Sequence, residues 1–263
     1  MTLPKYETLE LAQEPNGILR VWLSRPAKRN ALNTTALDEI ADCFSRINTE
    51  WNVRVVVLGG RGASFCAGAD RKDPPASGRT RRSSGATERE RRWAGQIGRR
   101  ACAAIADCEA ITIARVHGHA VGGGLALALC CDFRVAASDT VFHVPEVDLG
   151  LPLLWGATPK LIYEVGAARA REIILACDRF DSAQAERWNV VHRNVAPAQL
   201  DAETAKLAQQ MAAKPEIAVH MAKTALRGYA RTANLGDATE ADVDLMLAAS
   251  RVGAARDAFR IPD

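Results

Sequence analysis

The chain has no Cys-x-x-Cys pair and no apolar run near the length of a membrane span. It also has no phosphate-cradling glycine loop and no apolar stretch behind its N-terminal lysine. Each absence excludes something. The seven cysteines (Cys43, Cys66, Cys102, Cys108, Cys130, Cys131 and Cys177) form an odd set that reads as reduced thiols, mostly small buried apolar groups. The five histidines show no ligand spacing with them, so a zinc site is not expected. A bilayer span needs about 20 apolar residues. The longest apolar stretch, Ala120 to Cys131, contains three glycines and stops at Asp132, so it reads as a buried helix. Without a signal-like segment at Met1–Glu7, the expectation is a soluble, cytoplasmic protein.

What is present is ordinary globular composition, 48% hydrophobic and 25% charged, which excludes wholesale disorder. At 263 residues the chain suits one large domain, or a domain with a helical appendage. The net charge of +3 is too small to argue for nucleic acid. Its distribution says more: Arg71 to Arg92 holds eight basic residues against three acidic ones, in a Pro/Ser/Gly-rich setting. Such a segment reads as a solvated loop, or as a flap attracting a polyanionic ligand. RNA binding is the weakest of the three readings, because no aromatic residue interleaves with the basic ones until Trp93.

Tyr6–Leu11 and Ile18–Leu23 alternate like strands around a Pro15-Asn16-Gly17 turn. Leu37, Ile40, Phe44 and Ile47 recur at helical spacing after Asn33 and Thr34, which are good N-cap residues. Val53–Leu58 and Ile111–Val116 are continuous apolar runs, suited to strands buried on both faces. A helix is expected over about Thr87–Ala106, another over Gly122–Cys131, and short strands at Phe133–Ala137, Val141–Val144 and Val190–His192. From Ala157 onward helical patterns dominate, with Leu200, Leu207, Ala208 and Met211 on one stripe. Strands with intervening helices, followed by helices, predict an α/β core over residues 1–195 and a helical region over 196–263.

Two segments carry chemistry. His117-Gly118-His119-Ala120-Val121-Gly122-Gly123-Gly124 follows a strand and opens the apolar helix. Its glycines let a ligand approach the main chain, and the first helical N–H groups have no internal acceptor. The spacing fits neither G-x-G-x-x-G nor a P-loop, and tight helix-to-strand packing alone would also account for it. Phe65-Cys66-Ala67-Gly68-Ala69-Asp70 is the second segment, made largely of small residues that can present a bare N–H. Two such donors from separate segments are what an oxyanion requires.

With Arg25-Pro26, Asn30-Ala31-Leu32-Asn33, Phe65–Asp70, Gly122–Gly124, Cys131–Ala136, Phe142–Glu146 and Ala222-Lys223 in that order, the chain resembles the crotonase superfamily. This is the enoyl-CoA hydratase/isomerase group, and the resemblance spans nearly the whole chain. It implies a spiral of ββα units followed by a helical C-terminal region that assembles a homotrimer or homohexamer. It further implies an oxyanion hole made by the backbone N–H groups of Ala69 and Gly123. Ala67, Asp70 and Gly122 would lie along the substrate, with Lys28 or Arg29 near the coenzyme phosphates. The substrate would be an acyl-CoA; no other cofactor, no metal, no nucleic acid and no membrane is implied.

A hydratase of this group uses two glutamates. One follows the Pro of the Pro-Glu pair and is Glu146 here; the other position holds Ala126. One carboxylate suffices to move a proton from C2 to C4 of a 3-enoyl thioester, so isomerisation is expected ahead of hydration. Neighbours Val144, Val147 and Leu149 would bury Glu146 and raise its pKa. Asp148 would reach the same site only from an extended segment. Leu154 and Trp155 replace the glycine-rich stretch common after this glutamate and would narrow the acyl pocket. Cys66 has no neighbour that would make it a nucleophile. A non-catalytic acyl-CoA binder is the rival reading, since Ala126 removes one acid/base group.

Overall fold

The computed structural model describes residues 3–75, 85–233 and 242–249. The centre of the basic Arg71–Arg92 stretch, residues 76–84, lies outside the described residues, as do 234–241 and 250–263.

A six-stranded sheet organises the core. β1 (Leu9–Glu14) pairs antiparallel with β2 (Ile18–Leu23). Beyond β2, β3 (Val55–Gly60), β4 (Ile111–Val116), β6 (Phe133–Ala137) and β9 (Arg193–Val195) add on in parallel. Side-chain alternation shows why the Val55–Leu58 run is apolar throughout. Val56 and Leu58 enter one core cluster, with Leu37, Ile40 and Phe44 of α1 (Thr34–Thr49). Val55 and Val57 enter a second, closed by Leu200 and Leu207 of α7 (Leu200–Ala212). Both faces of the strand are covered, which removes any polar alternation.

A second sheet runs beside the first, built from β5 (His119–Val121), β7 (Val141–His143) and β8 (Phe180–Asp181). Isolated bridges extend it through Cys66 to Ala120 and through Ala69 to Leu32. Successive units therefore give one strand to the large sheet and one short extended piece to the small one: β2 then Leu32, β3 then Cys66–Ala69, β4 then β5, β6 then β7. This is the expected spiral, a repeat of backbone without a repeat of sequence.

The expected elements are present with shifted bounds. The first strand is Leu9–Glu14 rather than Tyr6–Leu11, and the third begins at Val55 rather than Val53. Asn33 caps α1 as anticipated, its side chain accepting from the Ala36 N–H at 3.0 Å. The helix expected over Thr87–Ala106 is two helices, α2 (Glu88–Gly95) and α3 (Ile97–Ala106). Its break at Gln96 falls between Gly95 and Gly98, weak helix formers pressed against Val243 and Trp155 respectively. The apolar helix is the shorter α4 (Gly123–Leu129). No strand forms at Val190–His192. Those valines are buried in a turn behind α6 (Ser182–Arg187), and the strand starts at Arg193. Their apolarity served core packing rather than a ladder.

Helix α5 (Ala157–Ala176) follows the site, and α8 (Glu216–Ala233) lies against the core through Lys223. The Lys223 ammonium, 5% exposed, donates to Asp132 and to the Ala110 carbonyl, both at 2.6 Å. The outer face of α8 leaves Ile217, Met221, Leu226 and Tyr229 exposed. A last helix, α9 (Asp242–Ala249), sits over Gly95. No described helix is long and apolar enough to cross a membrane.

Candidate active site

The site lies where Cys66–Ala69 meets the end of β5. The Cys66 N–H donates to the His119 carbonyl at 3.0 Å, and the Val121 N–H returns a bond to Cys66 at 3.1 Å. On the other side, Leu32 N–H reaches Gly68 O and Asp70 N–H reaches Leu32 O, each at 2.8 Å. These bonds skip Ala69, so its amide faces away from Leu32. Gly68 has φ +87, and a Cβ there would stand 2.8 Å from the Val121 oxygen and 3.8 Å from the Gly123 nitrogen. Only glycine fits so close a crossing in that conformation. The segment bearing Ala69 is thus laid against the first residue of α4. Among the described residues, neither the Ala69 nor the Gly123 amide donates to a protein acceptor.

Buried polar contacts fix that segment. Asn30, 2% exposed with φ 55, accepts from the Arg25 N–H at 2.9 Å and donates to the Arg61 and Ser64 carbonyls at 2.9 and 2.8 Å. Asp70, 5% exposed, takes the Arg25 guanidinium at 2.9 Å and the N–H groups of Lys72 and Asp73. Burial pushes its pKa up, but the Asp73 N–H, Arg25 and the Lys72 N–H together hold the carboxyl below its ordinary value. Its carboxylate is turned toward these partners. Ala67 N–H donates to Arg29 O at 2.9 Å, and the Lys28 and Arg29 side chains are exposed beside it. Arg25 and Asn30 belong to the motifs that carry the resemblance, and the sequence alone gives them no role. Two consecutive positive-φ residues, Arg29 and Asn30, leave little signal in composition.

Glu146 lies directly against Gly122. A Cβ on Gly122, whose φ is +48, would fall 2.3 Å from Oε1. Oε2 is buried and has no hydrogen-bond partner. Burial pushes the Glu146 carboxyl up from 4.5 to about 7, tempered only by its own backbone N–H. The expected apolar neighbours contribute unevenly. Val144 is buried, but Val147 is exposed, and the close wall is the Gly122 backbone instead. Asp148 does not join Glu146. Residues 146–151 turn, with the Leu149 and Leu151 N–H groups returning to the Glu146 carbonyl, and Asp148 is exposed. Ala126 is 1% exposed within the core, so a methyl group occupies the position of the other expected carboxylate.

Trp155 closes one side. Its indole is wedged between α3 and the start of α4: a Cβ on Gly98 or on Gly123 would fall 2.1 Å from the ring. Leu154 precedes it, partly buried. Trp155 has φ +64, a conformation that costs a non-glycine residue about 1–2 kcal/mol. Gly156 continues the left-handed turn at φ +71, and its N–H donates to Asp242 at 2.8 Å. Little in the sequence marks Gly98 as the seat of the indole. A lone glycine inside a helical pattern was the available signal.

Other candidates fall away. Cys66 is buried and its thiol is pushed up to about 12, against nucleophilic use. His119 Nδ1 meets Ser64 Oγ at 3.1 Å, and His143 Nε2 meets the Cys177 carbonyl at 2.9 Å, both structural contacts.

The chain is similar to known proteins over most of its length. The family model described as enoyl-CoA hydratase/isomerase matches residues 13–255. The chain is 33% identical over 249 residues to a crotonyl-CoA hydratase of Syntrophomonas wolfei, covering 94% of this chain and 89% of that one. It is 30% identical over 234 residues to a peroxisomal Delta(3,5)-Delta(2,4)-dienoyl-CoA isomerase of Arabidopsis thaliana, covering 86% and 84%. Among solved structures, an enoyl-CoA hydratase/isomerase from Pseudoalteromonas atlantica superposes with a TM-score of 0.82 at 26% identity, covering 96% and 95%.

Proposed function

Since the chain belongs to the enoyl-CoA hydratase/isomerase family, we propose that it isomerises the double bond of a 3-enoyl-CoA, with Glu146 as its single acid/base. The thioester oxygen accepts the Ala69 and Gly123 N–H groups. Negative charge that develops on this oxygen is met by donors already in place, each worth about 3–4 kcal/mol in related oxyanion holes. The Glu146 carboxylate takes the proton from C2, leaving a dienolate. It then returns the proton to C4, so the double bond moves to C2–C3 and the carboxylate is regenerated. No other reactant is consumed.

The observation that carries this reading is a Glu146 that no second carboxylate joins among the described residues. Its carboxyl is buried against the Gly122 backbone with its pKa pushed up to about 7, while position 126 is a buried alanine and Asp148 is exposed. A general base works best with a pKa near the operating pH. Hydration needs a water held between two groups, and a buried methyl at 126 cannot hold one. Coenzyme A arrives with the substrate, and neither a metal nor a redox cofactor is needed by this chemistry. Exposed Lys28 and Arg29 suit its phosphates. We assign the enzyme to the cytoplasm as a trimer or hexamer joined through the 196–263 region, where the apolar face of α8 supports assembly.

The test is purified protein with 3-hexenoyl-CoA and 2-hexenoyl-CoA. Conversion of the former, without water addition to the latter, is expected. Water addition at a comparable rate would make it a hydratase, and tight binding with no turnover would make it an acyl-CoA binder.

A further inference from the structure

A cavity of about 680 Å³ opens behind Trp155, between α3, the end of α4, α5 and α8. Cys102, Ala103, Ala106, Leu129 and Leu226 give it apolar walls, and charged side chains, among them Lys160, Glu164 and Arg227, line it too. Its volume falls within the about 300–1,000 Å³ of sites that take small molecules. Trp155 belongs to this lining and also presses its ring on Gly123, so one side chain stands between the carbonyl site and the cavity. The side chain is tightly seated. Gly98 and Gly123 leave no space for a Cβ on either side, and Gly156 is tied to Asp242.

We propose that Trp155 is the specificity-determining residue that ends the acyl pocket, restricting the enzyme to short-chain acyl thioesters and separating it from a cavity whose apolar walls could take a longer chain. This inference rests on the acyl-CoA reading above. A chain leaving a carbonyl held at Gly123 meets the indole within a few carbons, because the ring lies on that residue. Removing the indole would join the two spaces. Each methylene then buried improves binding roughly fourfold in free-energy terms. Freezing the chain offsets part of this, so a net gain of at least tenfold is expected for about six more methylenes.

The experiment compares the wild type with Trp155→Ala on 3-hexenoyl-CoA and 3-dodecenoyl-CoA, measuring kcat/KM. Binding of hexanoyl-CoA and dodecanoyl-CoA is followed by calorimetry. The wild type should prefer the six-carbon substrate. Trp155→Ala should raise the ratio of long to short by at least tenfold, through KM and through dodecanoyl-CoA affinity. Adding Ala103→Phe, which fills the cavity, should return the ratio toward the wild-type value. If Trp155→Ala does not fold, Trp155→Leu carries the same comparison with a smaller shift. A wild type indifferent to chain length, or a variant ratio that does not move, overturns this inference while leaving the acyl-CoA reading intact. Absence of binding for every thioester removes that reading, and this one with it.

Discussion

Glu146→Gln separates the chemistry of the site from its stability, because the substitution should move the two in opposite directions. Gln keeps the shape of the side chain but cannot accept the C2 proton. A general base contributes about 10²–10⁴-fold, and kcat should fall by that factor while KM changes little. The pH dependence follows from the same burial. Glu146 must be ionised to start the reaction, so wild-type kcat/KM should rise with pH through about 7 and then level off. Stability runs the other way. The folded protein binds this proton more tightly than the unfolded chain, where the carboxyl has its ordinary value of 4.5. Stability from this group is therefore fully present below pH 4.5, declines as pH rises toward 7, and is constant beyond. The interval corresponds to about 3 kcal/mol. Glutamine does not titrate, so Glu146→Gln should gain about that much on the wild type between pH 4 and pH 8. Thermal unfolding at the two pH values reads this as a relative rise in Tm of roughly 5–10 °C at pH 8. A variant that isomerises at the wild-type rate would refute the assignment of the base. A Tm difference that is the same at both pH values would refute the argument from burial.

Gly122→Ala should place a methyl 2.3 Å from Glu146 Oε1 at φ +48, so activity should fall at least tenfold in a protein that circular dichroism shows to be folded. Asn30→Ala should leave the buried Ser64 carbonyl and the part-buried Arg61 carbonyl without this donor, costing about 1–3 kcal/mol in urea denaturation and lowering kcat with it. Lys223→Met should leave the Ala110 carbonyl without this donor and Asp132 with only Thr112, costing about 1–3 kcal/mol; an unchanged denaturation midpoint would show that this contact is not what holds the helix.

Much of this site was legible in the residues because its parts are backbone devices with a strict spatial demand. Gly68, Gly122 and Gly123 stand where a Cβ would collide with another segment, and such positions tolerate few alternatives. The family that the order of motifs resembles is what implies the pairing of Ala69 with Gly123 and the choice of Glu146. The buried strand at Val55 was equally plain, since covering both faces leaves an unbroken apolar run. The run at Val190–His192 misled because a buried turn and a buried strand have the same composition.

Sequence by itself determined which groups are available: two glycine-bearing segments, one glutamate, and alanine where a second carboxylate would stand. Only the tertiary structure decided their surroundings. It set the Glu146 carboxyl against the Gly122 backbone rather than against Val147, turned Asp148 outward, and drove Trp155 between two glycines 25 residues apart. Local pattern records periodicity and turn chemistry. Burial and the closure of a pocket arise from segments distant along the chain, and these are set when the ββα units close on one another.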